Sequence, residues 1–154
     1  MLSELKAKTM SIPNVDMAIS TLQKYFDITI YQRMRKKIFY EGDFPDGGKL
    51  LICTPQSKLH PKGNGWIDLT VKQITLLQEA TYAIFALRIE GDKIYYFGFD
   101  NLKPLLTEDT LIYNNHEGDH WKLHVWPDCI KVLGNSQKLV ITANRIDNLG
   151  SGRN

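Results

Sequence analysis

The sequence predicts an α/β domain: a central mixed β-sheet on an αβββαβ core, followed by a β-rich C-terminal extension. Three observations carry this. The turn cluster Phe44-Pro45-Asp46-Gly47-Gly48 separates strand-like stretches near residues 36–43 and 49–55, the pattern of a β-hairpin. A helix with its own capping residues begins at Thr70. The stretch Tyr82–Ile89 that follows is apolar without alternation, as a strand covered on both faces must be.

In chain order, Asn14 is placed to cap a helix in which Val15, Ala18, Ile19, Leu22 and Phe26 recur at helical spacing. Ile28 and Ile30 turn the pattern extended, and the hairpin follows the basic run Arg33, Arg35, Lys36 and Lys37. Residues 58–65 read as a basic loop broken by Pro61, Gly63 and Gly65. Thr70 and Gln73 complete a capping box, and Leu69 and Ile74 hold the positions of a hydrophobic staple. Val71, Ile74, Leu76, Leu77 and Ala80 form one broad apolar arc, so this helix packs on a sheet. Glu90-Gly91-Asp92 turns the buried strand into a partner at residues 93–99, and Pro104 interrupts a helical turn over 101–106. His120–Trp126 alternates as a strand, with Trp121, Leu123 and Val125 on one face and His120, Lys122, His124 and Trp126 on the other. Short strands at 129–133 and 138–142 complete the extension.

With 154 residues, 43% of them hydrophobic, the chain supports one ordinary core. A single domain is expected over residues 1–149, with a frayed tail at 150–154. The formal charge of +2, from 19 basic and 17 acidic residues, is too small to imply a polyanionic partner unless the charges cluster. Cys53 and Cys129 sit in apolar runs, which favours buried, reduced thiols over a disulfide framework. No apolar run reaches the length of a membrane span and the N-terminus lacks a signal-peptide core, so a soluble, cytoplasmic protein with no membrane partner is expected. Gly-rich phosphate loops, nucleophile elbows and paired-cysteine metal motifs are all missing, which sets aside P-loop hydrolysis, serine hydrolysis and zinc fingers.

The order helix, strand, hairpin, helix, strand over residues 14–90 resembles the PD-(D/E)XK restriction-endonuclease-like superfamily, most closely in LLICTPQSK, GWIDLTVKQITLL and YAIFALRI. That resemblance, over about half the chain, implies a restriction-endonuclease-like domain that cleaves DNA. It also implies Mg²⁺ held by two acids, with a lysine assisting the nucleophile. Two placements of such a site are open. In the first, Pro45-Asp46 supplies the acid and Gln56-Ser57-Lys58 is a variant second half in which Gln replaces an acid, giving Asp46, Gln56 and Lys58 as catalytic candidates. Pro55 opposes this by tending to end the strand. In the second, Glu41 or Asp43 is the acid and lies across the hairpin from Leu51 to Cys53, which then occupy the acid and lysine positions. The metal candidates are therefore Glu41, Asp43 and Asp46.

Each of these residues also has an ordinary structural reading: Asp46 forms the turn, and Glu41 and Asp43 are solvated hairpin charges. Arg33, Arg35, Lys36 and Lys37, with Lys58, His60 and Lys62 of the loop, are candidates for nucleic-acid phosphate contact; the alternatives are a protected strand edge and a solvated loop. His116, His120 and His124 recur every four residues, but on a strand His120 and His124 stand about 13 Å apart, too far to chelate one ion directly. Trp121 and Trp126 read as core or sheet-packing residues, whereas an exposed tryptophan on a basic face would offer a base-stacking platform. Three functions follow: a Mg²⁺-dependent DNA endonuclease, a nuclease-fold module that binds nucleic acid without cleaving it, and a protein-binding factor, encoded by a mobile element, that uses the fold as a scaffold. A homo-oligomer is compatible with each.

Overall fold

In the computed structural model, which describes residues 11–33 and 35–149, Asn14 opens α1 (Val15–Phe26). Its side-chain oxygen accepts from the Asp16 amide at 2.8 Å, the capping role expected of it. The chain then forms β1 (Ile30–Gln32) and the hairpin of β2 (Phe39–Asp43) with β3 (Lys49–Cys53). Gly47, at φ +92°, supplies the left-handed turn residue between them. Pro55 stops β3, and a short β4 (Gln56–Ser57) resumes beyond it. β5 (Gly65–Thr70) runs without a linker into α2 (Val71–Glu79), because Thr70 is both the last strand residue and the helix cap. The capping box is formed: the Gln73 amide donates to Thr70 Oγ1 at 3.1 Å and the Thr70 amide donates to Gln73 Oε1 at 3.0 Å.

β6 (Tyr82–Ile89) is the middle of the first sheet, whose order is β1-β2-β3-β6-β4 with β7 (Lys93–Gly98) on the other edge of β6. β3 and β4 pair with β6 in parallel and the remaining neighbours are antiparallel, so the sheet is mixed. After α3 (Phe99–Leu102) and two 3₁₀ turns come β8 (His120–Trp126), β9 (Cys129–Val132) and β10 (Lys138–Val140). These join β5 in a second, antiparallel sheet of order β10-β9-β8-β5.

Burial on both faces of β6 accounts for its unbroken apolar run. Tyr82, Ile84 and Ala86 pack with Ala18, Ile19 and Leu22 of α1. Ala83, Phe85, Leu87 and Ile89 point the other way, into a core shared with Ile74 and Leu77 of α2 and Ile67, Leu123, Val125 and Ile130 of the second sheet. Each fully buried Leu, Ile or Phe adds about 1.5–3 kcal/mol by removal of apolar surface from water. The staple residues Leu69 and Ile74 are buried in this same core, as are both ends of the Phe39↔Cys53 pair. Gly65 allows the sheets to meet: a Cβ there would stand 3.0 Å from Ile89 Cδ1.

Two expectations are corrected. No strand is expected between the 58–65 loop and the helix, but β5 begins at Gly65 and alternates buried Ile67 and Leu69 with outward Trp66 and Asp68. His120 leaves β8 on the same side as Lys122 and His124, as expected, but unlike them it is buried at the end of the strand where Ile112 pairs beside it, its Nδ1 3.0 Å from the Gly118 carbonyl oxygen. The helical turn expected at 101–106 begins earlier, at Phe99, and continues as a 3₁₀ turn over Lys103–Leu105. Cys53 and Cys129 are free and buried as expected, and burial pushes the Cys53 thiol far above its ordinary pKa. The tail at 150–154 lies outside the described residues. Among the described residues no helix is long and apolar enough to cross a membrane.

Candidate nucleic-acid interface

The structure does not bring Asp46, Gln56 and Lys58 together. Asp46 sits in the β2–β3 turn, its carboxylate accepting from the Gly48 amide at 2.9 Å. Gln56 lies at the opposite end of the β3–β4 edge, about 23 Å from Lys49 at the rise of an extended chain. There its Oε1 accepts from Arg88 Nη1 at 3.2 Å. Arg88 belongs to the α1 side of the sheet, since the same nitrogen donates to the Pro13 carbonyl just ahead of α1. Its Nε and Nη2 donate to the Thr54 hydroxyl and carbonyl. Gln56 thus helps Arg88 hold the break between β3 and β4. Lys58 is exposed just beyond it.

Glu41 and Asp43 point to the other side of the sheet. Glu41 stands across from Leu51, as expected, while Asp43 faces Lys49 rather than Cys53. Each acid has a cation beside it: Arg33 Nη1 is 3.6 Å from Glu41, and Lys49 bonds Asp43, which also accepts from the Tyr31 hydroxyl at 3.3 Å. The hydrogen bond from Lys49 holds the Asp43 carboxyl below its usual range. Leu51 and Cys53, at 3% and 0% exposure, supply no ligand opposite them. Glu41, Asp43 and Asp46 therefore do not fit the two-acid metal site that the resemblance implies. Among the described residues no group of three or more His, Cys, Asp or Glu side chains is placed to hold a metal ion.

The basic run, by contrast, forms a defined surface. Arg35, Lys36 and Lys37 are exposed on the turn between β1 and β2, and with Lys72 of α2 they line an open cleft of about 300 Å³. Its remaining lining is neutral: Thr70, Gln73 and the apolar floor of Ile38, Phe39 and Leu76. Arg33 is turned away toward Glu41 in an adjoining cleft. The start of α2 adds little of its own, because the Val71 amide donates to Asp119 and the Gln73 amide to Thr70. The positive character of the cleft comes from side chains. Arg35 adopts a left-handed backbone conformation, φ +64°, which costs an L-residue about 1–2 kcal/mol.

The 58–64 loop leads to a second surface. The His60 amide donates to the Asn64 carbonyl at 2.9 Å and the Gly63 amide to the His60 carbonyl at 2.8 Å, folding the loop back so that His60 reaches Trp66. Their ring centroids are 4.2 Å apart with planes 21° from parallel. His124, across the ladder from Trp66, stacks on the same ring at 5.5 Å and 13°. Lys122 places its ammonium 4.9 Å from the Trp66 ring centre, within cation–π range. Trp66 remains 44% exposed. Partial burial, then the charges of Lys122, His60 and Lys62, push the His124 pKa below its usual value.

Trp66, Lys72, Lys122 and His124 were not among the sequence candidates for binding. The signal for Trp66 was present as the alternation from Gly65 to Thr70, which buries Ile67 and Leu69 and so must turn Trp66 outward. The glycines and basic residues just before it masked that strand. Comparison of the chain with protein-family models, with curated proteins and with solved structures gives no match.

Proposed function

We propose that the protein binds nucleic acid by its phosphate backbone, through the cleft between the β1–β2 turn and α2. The observation that carries this is the lining of that cleft: Arg35, Lys36, Lys37 and Lys72 surround it without an acidic residue. Four cations around one open cleft suit a chain of phosphates, whose counterions they release on binding. Binding rather than cleavage is the favoured activity, because Glu41 and Asp43 are neutralised by local cations and Asp46 is spent on a turn.

Fluorescence anisotropy with a labelled DNA duplex tests the proposal. The wild-type chain is expected to bind at low salt with or without EDTA and to leave the duplex intact in Mg²⁺ or Mn²⁺. The double variant Lys36→Glu/Lys37→Glu is expected to bind at least about 10-fold more weakly, from two reversed phosphate contacts. Wild-type affinity retained in that variant, or metal-dependent cleavage lost in Asp46→Ala and Lys58→Ala, would contradict it.

A further inference from the structure

We infer that the outward face of the second sheet, centred on Trp66, is a binding surface for the unpaired bases of a single-stranded nucleic acid. The inference rests on the nucleic-acid reading above, but on different residues. His60, Trp66 and His124 form a stack of near-parallel rings that a base extends as one more plane. Aromatic planes of this kind accept any base, because every base has a π-face. A duplex keeps its bases stacked on one another and cannot offer them to such a surface.

Charge identifies the occupant as an anion. The ladder places Trp66 opposite His124, His124 opposite Lys131 and Lys131 opposite Lys138, one continuous row across all four strands. At the spacing of neighbouring strands that row is about 14 Å long, aromatic at one end and cationic at the other. Lys62 of the loop lies near enough to act on His124, and Lys122 stands over the Trp66 ring. Asp68, 3.6 Å from Lys122, is the one acid among the outward strand residues described. Trp126 and Val140 add apolar surface, Val140 being 73% exposed.

The test is anisotropy with labelled oligo(dT) and oligo(U), with a duplex as reference. Trp66→Leu is expected to bind both single strands about 10-fold more weakly, the loss of roughly one stacked base, with duplex affinity unchanged. Lys131→Gln/Lys138→Gln alters only exposed groups and is expected to flatten the salt dependence of single-strand binding by about 1.4 in log–log slope. A tighter complex with oligo(U) or with oligo(dT) identifies RNA or DNA as the source of the bases. Single-strand affinity that is unchanged in both variants overturns the inference while leaving the cleft proposal standing. Binding that is insensitive to salt and competed by neutral oligosaccharides overturns it in favour of a sugar. Failure of the wild type to bind any nucleic acid at low salt overturns both.

Discussion

Trp66 and His124 face each other across the β5–β8 ladder with their rings stacked 5.5 Å apart, and the partial burial this involves pushes the His124 pKa down. The pair joins the edge strand that feeds α2 to the strand at the middle of the second sheet. It also makes a structural contact sensitive to pH.

That sensitivity has a definite sign. A histidine with a depressed folded-state pKa takes up its proton more readily when unfolded, so stability rises with pH where the two states differ. His124 contributes fully above its unfolded value near 6.5, and the contribution is lost as pH falls through the lower folded value. Lys122, Lys62 and His60 oppose its charging, and Asp68 on the same face is engaged by Lys122. Urea midpoints measured from pH 7.5 to pH 5 are expected to fall more steeply for the wild type than for His124→Gln. Equal slopes would show that the shift is not felt in stability.

Arg88 offers a test of where Gln56 belongs. Its guanidinium satisfies the Thr54 hydroxyl and carbonyl, the Pro13 carbonyl and Gln56, and Thr54 is fully buried. Arg88→Met leaves those acceptors without a donor and is expected to cost about 3 kcal/mol in chemical denaturation. Arg88→Lys should recover only part, because an ammonium does not reproduce the planar fork. Gln56→Ala, which removes one exposed acceptor, should cost under about 0.5 kcal/mol.

Arg35 separates binding from folding. Its positive φ is a conformation that glycine adopts without penalty. Arg35→Gly is therefore expected to raise stability by up to about 1 kcal/mol while weakening duplex binding several-fold through loss of one cation from the cleft. A variant that is both less stable and equally tight would contradict the role given to this residue.

Much of the fold was legible because local signals agreed with one another. Asn14, Thr70 and Gln73 cap the helices they were expected to cap, and the Gly-rich turn places Glu41 across from Leu51. β5 was less legible, since Gly63 and Gly65 and the charges before them outweighed a short alternation whose partner strand lies far away in sequence. The face of His120 was legible, but its burial was not, because alternation says which side a residue leaves the strand and not how enclosed that side is. Arg35, Lys36 and Lys37 could be recognised as a cluster, but Lys72 joins them only through the packing of α2 beside the β1–β2 turn. The spacing of Asp46, Gln56 and Lys58 suggested a common site, and the geometry of an extended hairpin separates them.

The salt dependence of duplex binding tests the central claim most directly. The logarithm of the wild-type association constant is expected to fall linearly with the logarithm of salt concentration, with a slope of about −3 to −4 for four phosphate contacts. Lys36→Ala/Lys37→Ala should make that slope shallower by about 2 at unchanged stability. A wild-type slope near zero, or the same slope in the double variant, would contradict the assignment of the cleft as the backbone-binding surface.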